Sequence, residues 1–175
     1  MKDVRVGLSG LGQYSVDIVE REPVALVSYL TTYVVVDKEG VALEVTDDLG
    51  DGDIPKINGV SLVGVKLGNK IDMSEEKVKS FYNMYETIKK SDGDSGKLYK
   101  AVDYIDLNDL SDIKFFLDNR VLVYIGSHND INLYKINYLK EIFFNNIGER
   151  DEGILRFREK GYPTFTRKTY AINKR

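Results

Sequence analysis

Between Val24 and Val45 the chain reads VALVSYLTTYVVVDKEGVALEV. Tyr33-Val34-Val35-Val36 is dense in β-branched residues, which suit a pleated, buried surface. Asp37-Lys38-Glu39-Gly40 has Asp first and Gly last, the preference of a type I turn. Val41, Leu43 and Val45 then share one face of a returning strand. A lone hairpin of this kind is marginal in water, so other strands or helices must cover it. It is expected at the centre of a sheet. Glu20-Arg21-Glu22-Pro23 closes whatever strand precedes it.

The remaining residues suffice for that cover. A chain of 175 residues, 42% of them apolar, has the size and content of one large domain, or a domain plus a fragment. The net charge is −3 with both signs interspersed, and no basic stripe marks a nucleic-acid surface. Cysteine is absent, which excludes disulfides and thiolate metal sites. No apolar run reaches the roughly 20 residues of a membrane helix. Met1 to Arg5 leads straight into strand-like sequence without a leader pattern.

Gly7, Gly10 and Gly12 invite a phosphate-loop reading, but no Gly-Lys-Ser/Thr follows, and the next segment alternates as a strand instead of opening a helix. The glycines are expected to be a lead-in to that strand, Tyr14 to Glu20. Thr46 to Asp53 is acidic, yet its spacing is not that of an EF-hand, so a solvated loop is expected. Ile54 to Val60 reads as a short extended piece with a turn at Asn58-Gly59, and Val65 to Asn69 as a strand end. A first helix is expected from about Met73 to Lys90, with Asp72 as N-cap, Glu75 completing a capping box, and an apolar face of Val78, Phe81, Tyr82, Tyr85 and Ile88. Ser91 to Gly96 should break it, and Leu98 to Leu107 should form a strand. Ile113–Leu117 and Arg120–Ile125 are joined by Asp118-Asn119, a two-residue hairpin loop whose residues tolerate positive φ. A second helix runs to about Ile147 and stops at Gly148. The last hairpin is Gly153–Phe157, a turn at Glu159-Lys160-Gly161, and Tyr162–Thr166, followed by a basic tail from Arg167 to Arg175. The pattern is α+β: a curved, mostly antiparallel β-sheet with two helices packed on one side.

Catalytic signatures are sparse. His128 is the one histidine and is expected in a surface loop, and no Gly-x-Ser-x-Gly elbow presents a serine. An enzyme with a carboxylate site on an α+β sheet is the alternative reading, and it predicts a deep cleft with convergent acids of shifted pKa. No cofactor is expected. The last strand points instead to binding. It ends the fold, so one of its edges should be open, and Pro163 suits such a position because it has no N–H. An open edge can accept a partner strand. Arg156 and Phe157 on the inner strand, with Tyr162, Thr164, Phe165 and Thr166 on the outer one, are the candidate partner-binding residues.

Six segments in order carry a family resemblance. Glu20-Arg21-Glu22-Pro23-Val24-Ala25 resembles the junction motif of the bacterial cell-division proteins FtsQ and DivIB, where a small POTRA domain meets a larger β-domain. Val35 to Val41 resembles that family's valine-aspartate-x-x-glycine hairpin, and Ile54 to Gly59 its leucine-proline-x-isoleucine-x-glycine segment. Val65 to Gly68, Val123 to Gly126 and Gly153 to Phe157 also fit. The resemblance implies that residues 1–23 are the remnant of a POTRA-like domain, that 24–166 form the β-domain, and that 167–175 are a tail. It implies a non-enzymatic divisome component, anchored in the cell membrane by a single-pass helix absent from this chain, with this domain extracytoplasmic at the septum. The implied partners are FtsB/DivIC-like and FtsL-like proteins, held by edge-to-edge pairing at the last strand in the control of septal peptidoglycan synthesis. A further arginine ahead of a central strand belongs to the family's partner site, and no position here is matched to it.

Overall fold

The computed structural model describes residues 2–10, 12–48, 54–158 and 162–168, with Ser9 as backbone only. Leu11, residues 49–53 of the acidic loop, the expected turn at Glu159-Lys160-Gly161 and the tail beyond Lys168 lie outside the described residues. The chain begins with a separate two-stranded antiparallel sheet, β1 (Asp3–Gly10) and β2 (Gln13–Val19). Gly7 and Gly10 thus belong to a strand and Gly12 to the turn after it, and the run is not merely a lead-in. Val4, Val6 and Leu8 pair with Ile18, Val16 and Tyr14, so all six share one face. That face is open: Val6, Leu8 and Tyr14 are 66%, 75% and 70% exposed, and none joins the core.

Among the described residues the main sheet has nine strands. Three come from the opening stretch: β3 (Ala25–Tyr29), β4 (Thr32–Val36) and β5 (Ala42–Thr46). The expected hairpin is therefore two-thirds of a meander. Its extra turn sits at Leu30, held at φ 52° with no glycine or asparagine to announce it. After β6 (Lys56–Asn58), two helical segments follow, α1 (Glu75–Asp92) and α2 (Lys97–Ala101). Then come β7 (Val102–Asp106), β8 (Ile113–Leu117), β9 (Val121–Gly126), α3 (Leu133–Glu141), β10 (Gly153–Arg156) and β11 (Thr164–Arg167). The spatial order is β11-β10-β9-β8-β7-β6-β3-β4-β5. The β4–β5 hairpin thus lies at one end of the sheet and not at its centre, and the last hairpin lies at the other.

The architecture is α+β, with a sheet that is mostly but not wholly antiparallel. Three pairs, β3 with β6, β6 with β7, and β9 with β10, are parallel. Parallel neighbours need a crossover connection. The helices supply it for two of them, α1 and α2 between β6 and β7 and α3 between β9 and β10, while β3 reaches β6 by way of β4 and β5. The Asp118-Asn119 loop forms as the spacing predicts, with φ of 48° and 53°.

Local corrections have physical causes. The N-cap of α1 is Ser74, whose hydroxyl accepts from Lys77 N–H, and not Asp72. Its buried face is Phe81, Met84, Tyr85 and Ile88 with Ser80, while Tyr82 turns outward at 39% exposure. Residues 97–101 are helical where a strand was expected. The Asp92 carboxylate accepts from Leu98 N–H (3.1 Å) and Tyr99 N–H (2.8 Å) and so starts that turn from a distance. Val65 to Asn69 is no strand; Gly68 N–H bonds to Ala42 O, and this loop covers the start of β5. α3 ends at Glu141 and continues as a π-helical turn, Ile142–Asn146.

One core joins these pieces. Along the helix-facing side the ladder runs Val34–Val27–Ile57–Ile105–Phe115–Val123–Leu155, all buried. Ile88 of α1 and Ile136 and Leu139 of α3 belong to the same cluster. Among the described residues two charged side chains are buried, Asp37 and Asp92. Asp37 accepts from Glu39 N–H and Val41 N–H (both 2.9 Å) and pairs with Arg21, while Lys2 and Arg21 also reach Glu39 (2.6 and 3.0 Å). These ion pairs tie the first hairpin to the β4–β5 turn. Asp92 holds the start of α2 and Lys140 of α3 (2.9 Å) at once.

Two consequences are measurable. Asp92→Ala leaves the buried Leu98 and Tyr99 N–H groups without their acceptor, while Lys140 keeps Ser91 O, and should cost about 2–4 kcal/mol in a urea titration. Lys2 first, then Arg21, hold the Glu39 carboxyl below the ordinary carboxylate range. A lowered folded-state pKa contributes stability that is present above the unfolded value of about 4.3 and is lost as pH falls through the folded value. The thermal midpoint should therefore fall on acidification below about pH 4, and less steeply in Glu39→Gln.

Candidate partner-docking edge

The last two strands form the hairpin that the sequence predicts, and among the described residues β11 has a single neighbour, β10. Which backbone groups face outward follows from the hydrogen bonds of the hairpin and the parity of its strands. Gly153 N–H and Phe157 N–H donate to Arg120 O and Tyr124 O on the β9 side (3.0 and 2.9 Å). Lys168 N–H donates to Glu152 O across the hairpin (2.7 Å). Antiparallel bonds alternate, so Thr166 and Thr164 exchange bonds with Ile154 and Arg156. The N–H and C=O groups of Phe165 and Arg167 then point away from β10, along the open edge. Pro163, by the same parity, presents a carbonyl and no donor.

The six candidate residues do not form one patch. They divide between the two faces of the sheet. Arg156, Thr164 and Thr166 lie on the side away from the helices. There the Arg156 guanidinium rests 3.7 Å above the Tyr124 ring, with Asp112 at 3.9 Å. Lys114 stands on the same ring at 5.6 Å. Phe165 and Phe157 are on the helix side, partly buried against the core. Phe157 meets Tyr138 of α3 edge-on at 6.3 Å, and Tyr138 meets Tyr134 at 6.2 Å. With Lys135, Tyr162 and Pro163 these rings line a groove of 640 Å³ beside the edge. Tyr134 and Tyr162 are 79% and 83% exposed there. Sequence reasoning missed Tyr134, Lys135 and Tyr138. Their signal was the i, i+4 tyrosine pair lying off the Ile136–Leu139 core stripe.

Gly153 sets how closely β11 seats. A Cβ there would collide with Thr166 O and come within 2.9 Å of the Phe165 ring. The ring therefore lies over the glycine, and no larger residue fits beneath it.

Among the described residues, the carboxyl groups displaced from their ordinary range stand in three separate turns and loops. Glu39 is in the β4–β5 turn. Asp109, held low first by the Ser111 hydroxyl, is in the loop after β7. Asp118, pushed up by burial, is in the β8–β9 turn. Among the described residues no group of three or more His, Cys, Asp or Glu side chains is placed to hold a metal ion. His128 is not a surface loop residue: its ring is 20% exposed and packs against α1. Its Nδ1 lies 2.9 Å from Ser80 Oγ, which itself donates to Glu76 O (2.7 Å). A hydroxyl has one hydrogen, so Ser80 accepts from Nδ1–H, and the pair closes a helix contact with no nucleophile to present. No helix among the described residues is long and apolar enough to cross a membrane.

The seat of Phe165 is testable. Gly153→Val should cost about 1–3 kcal/mol in a urea titration and displace the Phe165 ring resonances in an NMR spectrum.

No family model and no curated protein matches the chain. Among solved structures it is similar to the major extracytoplasmic domain of the trans isomer of the bacterial cell division protein DivIB from Geobacillus stearothermophilus, with 15% identity, 74% of this chain and 99% of that chain covered, and a TM-score of 0.38.

Proposed function

We propose that this chain is a binding domain that captures a partner strand on the open edge of β11, as an FtsQ/DivIB-like component of the bacterial division machinery. The observation that carries the docking part is the outward direction of the Phe165 and Arg167 backbone groups on a strand with one described neighbour. Backbone pairing supplies affinity in this mode, and flanking side chains supply selectivity. The Tyr138–Phe157 groove on one face and the Arg156–Tyr124 stack on the other flank any added strand. The division assignment rests on the six sequence segments that resemble the family. By that resemblance the partners are FtsB/DivIC-like and FtsL-like ectodomains, the domain works outside the cytoplasm at the septum, and its role is non-enzymatic. Residues 1–23 are then the end of a POTRA-like domain, which accounts for the uncovered apolar face of the β1–β2 hairpin.

Binding of a purified DivIC- or FtsB-like ectodomain, measured by calorimetry, tests the edge. Phe165→Pro removes one outward donor and keeps the inward bonds of Thr164 and Thr166. It should weaken binding about tenfold or more beyond the effect of Phe165→Ala, which retains the N–H. Equal binding by the two variants would exclude strand addition at this edge.

A further inference from the structure

We propose that Arg120 is the positioning residue of this edge, acting through Asp151 on Arg167; the role presumes the docking function above. Arg120 closes the β8–β9 turn and is 14% exposed. Its Nη1 donates to two carbonyls of the loop that precedes β10, Gly148 O at 3.0 Å and Asp151 O at 3.1 Å. Its guanidinium carbon lies 4.6 Å from the Phe143 ring centre, in the π-helical turn after α3. Asp118 Oδ2 is 3.7 Å from its Nη2. Its own carbonyl accepts from Gly153 N–H, the first residue of β10. One side chain and one backbone group thus hold the end of the crossover, the loop and the start of β10.

The loop passes that order to the edge strand. Asp151 N–H bonds back to Gly148 O (2.9 Å), and Asp151 Oδ2 accepts from Gly148 N–H (3.2 Å). The same Oδ2 grips Arg167 Nη2 of β11 at 2.5 Å. Arg167 is one of the two residues whose backbone faces outward. The path therefore runs from Phe143 and Arg120, through two carbonyls and one carboxylate, to the far end of the docking edge. β11 is four residues long and has one neighbour among the described residues, so its few rungs do little alone to keep it flat and in register. A planar guanidinium can stack on a ring and donate to two carbonyls together; an ammonium cannot do both.

Amide hydrogen exchange on the full chain tests this without any partner present. Arg120→Lys should lower the protection of the Thr164 and Thr166 N–H groups about tenfold relative to those of Phe115 and Val123. Asp151→Ala should produce the same local loss while leaving Phe143 and Arg120 stacked, and it decides the matter if Arg120→Lys does not fold. Both variants should also weaken capture of the partner ectodomain. Protection at Thr164 and Thr166 that is unchanged in both, or that falls equally across β8, β9 and β11, would overturn the proposal. Local loss of protection with no measurable capture by the unaltered chain would leave the clamp standing and sink the docking function instead.

Discussion

The alternation of side chains along a strand organises this molecule. Successive residues of each strand point to opposite faces, and one face is buried under two helices. The row from Val34 to Leu155 crosses seven strands without a polar member, and α1 and α3 close over it. Once that row is buried, every other residue is assigned. Leu155 must face in, so Arg156 faces out and Phe157 in. The same parity turns Thr164 and Thr166 outward and puts Phe165 beside the helices. The division of the candidate site between two faces is therefore a consequence of core burial, not an independent property of the edge.

That division changes what the site can select. A strand added beside β11 would continue the sheet, and its residues would fall alternately beside the tyrosine-lined groove and beside the Arg156–Tyr124 stack. The two environments differ in chemistry. The groove offers aromatic surface at an α3 face; the other side offers a cation already engaged with a ring. Arg156 is thus held flat on the sheet and does not reach off the edge, which the sequence pattern Arg-Phe cannot reveal.

Much of the fold was legible because its signals are local. The Asp118-Asn119 loop needs two residues that accept positive φ, and both are in place. The strands around it alternate cleanly, and α1 carries a helical apolar stripe. The misreadings share a different cause. Leu30 adopts positive φ without a turn residue, because the β3 and β4 side chains it joins are locked in the core. Residues 97–101 become helical because the carboxylate of Asp92 meets their N–H groups after the chain has turned back. His128 is covered by a partner, Ser80, that lies 48 residues away in the sequence, so no local pattern signals its burial. Arg120, Asp151 and Arg167 look like separate surface charges in the sequence, and only the β9–α3–β10 crossover and the pairing of β11 with β10 bring them together.

The sequence by itself determined the local elements: where the chain turns, which stretches alternate, and that a proline suited to an edge enters the last strand. These depend on neighbours within a few residues, through φ preferences and side-chain periodicity. Tertiary structure decided the strand order, the parallel pairs, the position of the β4–β5 hairpin at the sheet's end, and which face each candidate residue takes. Those depend on contacts between residues far apart in the chain, where many pairings satisfy the same local pattern and the burial of one continuous apolar row selects among them.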